Sequence, residues 1–223
     1  GSLFMAAGII DHETGTRDIR KLGGLMAIMP ITFTVSLIGL ASMAGLPPFN
    51  GFISKEMFFT GMLHAITLEG FSIGTWAVII PIIAWIASIF TFLYCAILFV
   101  KTFLGTYKPD QHEKKAHEAP IGMLISPIIL GSLVVVFGLF PNLLSDSLVK
   151  PAVTAITPAL SGNVEFAVSL SMFHGFNLEL LMTVGVLLIA LLLLYYMKKW
   201  QQFGIYQKER DPLNLLYDHG LTH

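Results

Sequence analysis

Residues 76–100 run for 25 positions without a charged side chain, and no other feature limits so severely what this chain can fold into. At about 1.5 Å of rise per residue, a helix of that length crosses the ~30 Å hydrocarbon core of a bilayer with room to tilt. Further apolar runs lie at 24–44, 49–70, 121–144 and 178–197, and a shorter one at 3–10 reads as half a helix. Lipid offers no water to backbone N–H and C=O groups, so each run has to satisfy them internally, as a helix does. The composition agrees, with 55% hydrophobic and 12% charged residues and a mean hydropathy of +0.75. Soluble domains carry roughly twice that charge fraction. The expected class is all-α: a polytopic membrane helix bundle with five complete spans.

Several function classes drop out. A net charge of −1 gives no argument for a nucleic-acid partner. The single cysteine, Cys95, sits inside an apolar run, where a buried inert thiol is the ordinary state and no disulfide can form within the chain. Neither a phosphate-cradling glycine loop nor a dinucleotide fingerprint, a CxxC or a nucleophile elbow occurs, so the sequence argues for no cofactor and no covalent catalysis. His112 and His117 lie in HEKKAHE, but no third ligand follows at metal-site spacing; the run reads as solvated charge, with no metal. The start, GSLFMAAGII, lacks the basic region and cleavage site of a signal peptide. We expect the chain to be a piece of a longer subunit.

Chemistry concentrates at GLPPFNGFISKEMFF, residues 45–59. Pro47, Pro48 and Gly51 make unbroken helix improbable on the approach to Lys55 and Glu56, so a helix break is expected between Gly45 and Lys55. Irregular backbone at membrane depth is tolerated where it faces protein or a hydrated cavity, and an ionisable residue there is a functional candidate. Burial in a dry site disfavours the charged form of a lysine and equips it to exchange a proton. Glu56 would hold the proton or offset the charge, although neighbours on a helix point about 100° apart. The bland alternative is that Lys55, only eight residues past Pro47, snorkels to the interface. His64 lies further along the same run. It could relay a proton, since unperturbed imidazole titrates near ~6.5, or merely be a polar residue at a helix end.

Orientation follows from charge if each run crosses once. One face then carries Lys101, Lys108, Lys114, Lys115, Lys198, Lys199, Lys208 and Arg210, and the other Arg17, Arg20, Lys21 and Lys150. The positive-inside rule puts the first set in the cytoplasm. Pro81 is expected to kink the third span. A segment near 164–173 could lie in the interface, and the tail from Lys198 could start an amphipathic segment along the surface.

LFMAAGIIDHETGTRDIRKLGGLMAIMP, then a span, then AGLPPFNGFISKEMFF, resembles the antiporter-like proton-translocating family. That family includes the Mrp-type multisubunit sodium/proton antiporters and the large membrane subunits of respiratory complex I, and the DHETGTRD connector looks most like the A subunit of the former. The motif match covers roughly residues 1–60. The resemblance implies an antiporter-like fold, partial here, with a discontinuous helix. It implies that Lys55 is the lysine of the second discontinuous helix and that Glu56 is its acidic neighbour. Residues 1–144 would be part of the proton-translocating domain. Residues 145–223 would be a C-terminal extension with one further span and the start of a lateral helix. The implied partners are other antiporter subunits, sodium ions, protons and the lipid bilayer; the implied location is the bacterial plasma membrane. A different class, the proton-pumping subunit of a complex I-like oxidoreductase or a membrane-bound hydrogenase, shares these motifs. A third reading makes the segment a scaffold for partner subunits.

Overall fold

In a computed structural model the chain is described at residues 1–65, 76–107, 109, 114–153, 155 and 178–202, with main chain alone at 64–65, 76–78 and 197–202. All regular secondary structure among the described residues is helical, with no strand. The helices are α1 (Ser2–Thr14), α2 (Pro30–Ala44), α3 (Asn50–Ala65), α4 (Trp76–Phe103), α5 (Ile121–Leu139), the short α6 (Pro141–Leu144) and α7 (Leu178–Gln202). A 3-10 turn, Leu25–Ala27, precedes α2, and a π turn, Ser145–Val149, follows α6. His112, Lys108, the 164–173 segment and the tail beyond 202 lie outside the described residues.

Among the described residues, three helical stretches are long and apolar enough to cross a membrane: Ile79–Phe103, Ile121–Leu139 and Leu178–Tyr196. Of the five expected spans, the run at 49–70 continues past Ala65 outside the described residues, and the run at 24–44 is shorter than expected. The run at 24–44 does not start as helix at Gly24, because Gly24 takes the left-handed conformation (φ 65°) and closes against the Tyr107 backbone. Helix begins at Pro30, whose fixed φ and missing N–H suit the first helical position, and the resulting 15 residues span only about 22 Å. The run at 121–144 is broken as well. Phe140 leaves helical geometry (φ −123°, ψ 67°), as a residue before proline is pushed to do, and Pro141 starts a new turn. At 3–10, by contrast, helix extends further than expected, through Thr14, and stops at Gly15 (φ 71°). α4 runs on through Pro81.

Packing sets the levels of these helices. Phe33, Phe99 and Phe103 stack with ring centroids 5.3–5.5 Å apart, joining the start of α2 to the end of α4. Leu40 and Ala44, near the end of α2, are buried with Ile89, Phe92 and Cys95, about halfway along α4. α7 lies against the same layer through Val186 and Ala190, and Trp85 Nε1 donates to the Met182 carbonyl (2.8 Å). α2 thus ends level with the middle of α4.

The connector 15–24 meets the described parts of the next connector, 104–107 and 114–120, at one end of the bundle. Gly24 N–H donates to the Leu104 carbonyl (3.2 Å), and the Lys114 backbone N–H to the Thr14 carbonyl (3.4 Å). The expectation that Arg17, Arg20 and Lys21 face the side opposite Lys101, Lys114 and Lys115 is therefore wrong. The chain leaves and returns to the same end, so with α4 crossing once, α2 and α3 together account for one net crossing rather than two.

Candidate functional site

α2 ends by a specific arrangement. Leu46 N–H donates to the Ala41 carbonyl (2.9 Å) and Gly45 N–H to the Ser42 carbonyl (3.0 Å), the paired bonds of a Schellman ending. Gly45 holds φ +79°, which favours a residue without a Cβ. Pro47 and Pro48 follow in the turn, and α3 starts at Asn50. Gly51, expected in the break, is instead in the first turn of α3. A Cβ there would lie 1.8 Å from the Ser42 carbonyl oxygen, so its role is close approach of two helices. Lys55 likewise stands inside α3, one turn further on. Gly138 lets the end of α5 approach the same turn, because a Cβ on it would come within 2.1 Å of the Pro48 carbonyl.

Lys55 is half-buried and reaches back across Gly45, where its Nζ donates to the Ala44 carbonyl (3.0 Å). That carbonyl belongs to the last turn of α2, the negative end of the helix dipole, where a cation is favoured. Any Cβ at Gly45 would sit 2.6 Å from Lys55 Cδ, so the glycine leaves the space the lysine chain occupies. A cavity of about 610 Å³ opens beside it, with Ser42, Ser54 and Ser88 in a wall that is otherwise largely apolar, through Leu3, Phe58 and Leu130 among others. Glu56 is buried in α3, next in sequence and about 100° round the helix from Lys55. His64 falls in the last turn of α3, and its side chain is outside the described residues.

Two features escaped the sequence reading. Ser42 spans the break: its hydroxyl donates to Asn50 Oδ1 (2.9 Å) and accepts from Gly51 N–H (3.2 Å). A serine just before GLPP was the available signal. The second feature lies at the connector end. Glu13, only 3% exposed, has its two carboxylate oxygens beside two imidazoles, His12 Nδ1 (2.9 Å) and His117 Nε2 (3.1 Å). Next to His117, Glu118 accepts from the Ile31 N–H (2.8 Å) and from the Thr32 hydroxyl (2.6 Å) at the start of α2. HEKKAHE is thus partly a docking segment rather than wholly solvated charge. No local pattern announces it, because its partners lie in α1 and α2.

The comparisons with known proteins agree with the helical membrane fold. The family model described as NADH:quinone oxidoreductase/Mrp antiporter, TM, matches residues 1–81. The A subunit of the Na(+)/H(+) antiporter of Alkalihalophilus pseudofirmus is 63% identical over the whole chain, and that of Bacillus subtilis 58%. This chain spans 28% of the length of each. The structure of the Mrp complex from Dietzia sp. DQ12-45-1b superposes with a TM-score of 0.66 at 28% identity, over 99% of this chain and 23% of that one. The chain is thus similar along its entire length to Mrp-type A subunits, and its first 81 residues match the family model that spans complex I-like oxidoreductases and Mrp antiporters.

Proposed function

We propose that the chain is part of the membrane-embedded A subunit of a multisubunit sodium/proton antiporter and supplies a section of its proton path. The observation that supports this best is the Lys55 ammonium on the Ala44 carbonyl, at the end of a helix that stops beside a cavity with serines in its wall. In this reading Lys55 is the protonatable station near the membrane midplane, reached through the broken helix. Glu56 is its electrostatic partner, and His64 is a further relay on α3. Residues 1–144 belong to the proton-translocating domain and 145–223 to a C-terminal extension. The complex would exchange cytoplasmic sodium for external protons in a bacterial plasma membrane, with its other subunits as partners. The connector end of the bundle, where Arg17, Arg20, Lys21, Lys101, Lys114 and Lys115 gather, would face the cytoplasm.

Membrane vesicles carrying the whole complex test the role of Lys55. Lys55→Ala should abolish cation-dependent proton flux at normal assembly. Lys55→Arg should abolish it almost as fully, because arginine keeps the charge but cannot release a proton, its pKa staying above ~12. A side chain that only anchors the helix would tolerate arginine, since both snorkel. Near-normal flux in the arginine variant at equal expression would remove Lys55 from the cycle.

A further inference from the structure

We propose that Ser42 is a positioning residue: it holds the start of α3 against the end of α2 and so sets where Lys55 meets the Ala44 carbonyl. The proposal rests on the reading of Lys55 as a proton station. Three contacts at Ser42 carry it. Its carbonyl accepts from Gly45 N–H (3.0 Å), which fixes the left-handed turn that ends α2. Its hydroxyl donates to Asn50 Oδ1 (2.9 Å) and accepts from Gly51 N–H (3.2 Å), which ties down the first turn of α3. Gly51 rests directly on the Ser42 backbone, with no space for a Cβ between them.

Lys55 follows Gly51 by four residues, so the two share a face of α3. Whatever sets the position of Gly51 on α2 therefore sets the position of the lysine over Gly45. Of the serines lining the Lys55 cavity, Ser42 is the one whose hydroxyl bridges the two helices. A turn built on glycine and two prolines fixes the direction of the chain but offers no side-chain donor to hold the second helix in register; Ser42 supplies that hold. The Ser42 hydroxyl itself makes no bond to Nζ, so it acts through geometry.

The test uses the intact complex in vesicles, with proton flux recorded from pH 6 to 9 alongside the amount of assembled complex. Ser42→Ala removes both hydroxyl contacts, and Asn50→Ala removes one. Ser36→Ala is the control: it is the same change in the same helix, at a buried serine whose hydroxyl has no hydrogen-bond partner among the described residues. Ser42→Ala should lower flux about five- to tenfold, as expected from losing two hydrogen bonds at one part-buried site, and should displace the pH of half-maximal flux. Asn50→Ala should do the same to a smaller extent, and it provides the reading if Ser42→Ala fails to assemble. Ser36→Ala should leave the pH profile in place. A pH profile in Ser42→Ala or Asn50→Ala that coincides with that of Ser36→Ala would overturn the positioning role. If Lys55→Ala still abolished flux, the proton-station reading would survive that failure; if Lys55→Ala itself transported normally, the reading would fall first.

Discussion

The two ends of α2 meet charges of opposite sign that come from very different distances along the chain. At the N-terminus the Glu118 carboxylate, 87 positions away from Ile31, takes the Ile31 N–H and the Thr32 hydroxyl. At the C-terminus the Lys55 ammonium, 11 positions from Ala44, takes the Ala44 carbonyl. Both choices follow the helix dipole, which favours an anion at the first turn and a cation at the last. They differ in what else closes the end. The N-terminal closure draws on a loop folded back from beyond α4, and Glu13 with His12 and His117 fastens that loop to α1. The C-terminal closure is made by Gly45, Leu46 and Ser42 from the adjoining chain. One end is a tertiary joint that resists movement. The other is a local turn whose charged partner lies over a cavity.

The largest break in this comparison should come from Gly51→Ala. Its Cβ would lie 1.8 Å from the Ser42 carbonyl, and backbone cannot step aside as a flexible side chain can. We expect the purified complex to lose on the order of 3 kcal/mol of stability, or to fail to assemble. An unchanged thermal midpoint would mean that the two helices are not in such close contact. Glu118→Ala strikes the other end and should cost about 1 kcal/mol, the usual worth of a helix N-terminal partner. Glu118→Gln, which keeps an acceptor and loses the charge, should recover about half of that and respond less to salt. Equal losses in the two variants would show that charge alone matters there.

The smallest effect concerns an ion pair that closes no helix. Arg20 holds the Asp18 carboxylate by side-chain hydrogen bonds at 2.9–3.1 Å and lowers its pKa to about 2, well below the ordinary 3.8. A depressed carboxylate stabilises the fold above its unfolded value, and the contribution disappears as pH falls through about 2. The pair is exposed, so the gain is small. Arg20→Gln should raise the Asp18 midpoint toward 3.8 in a residue-resolved titration while hardly moving the thermal midpoint at neutral pH. A midpoint that stays near 2 would assign the shift to something other than Arg20.

How much of this was legible in the sequence follows from distance along the chain. The uncharged stretch of α4 and the apolar run of α7 declared themselves by length, and Gly45 before two prolines marked where α2 ends. The stop at Phe140 was also available, since proline at 141 restrains the residue before it, yet the apolar run conceals it. The crossing count failed for a physical reason. Apolar length was read as full membrane thickness, whereas α2 stops level with the middle of α4. Glu13 and Glu118 stayed hidden because nothing near them in sequence reports that their partners are a histidine and a helix end far along the chain. Lys55 was visible as a charge in an apolar run; its partner was not, because a main-chain carbonyl has no letter in the sequence.

That last point affects how the site can change. A carboxylate partner can be swapped, shortened or neutralised by altering one codon, and a scan of single replacements would reveal it. The Ala44 carbonyl persists under every replacement at position 44 short of one that dismantles the helix. Natural variation and laboratory scanning can therefore displace the lysine from its acceptor only by shifting the neighbouring chain. The residues that tune the contact will look inert by their own chemistry: a glycine, a serine, a turn.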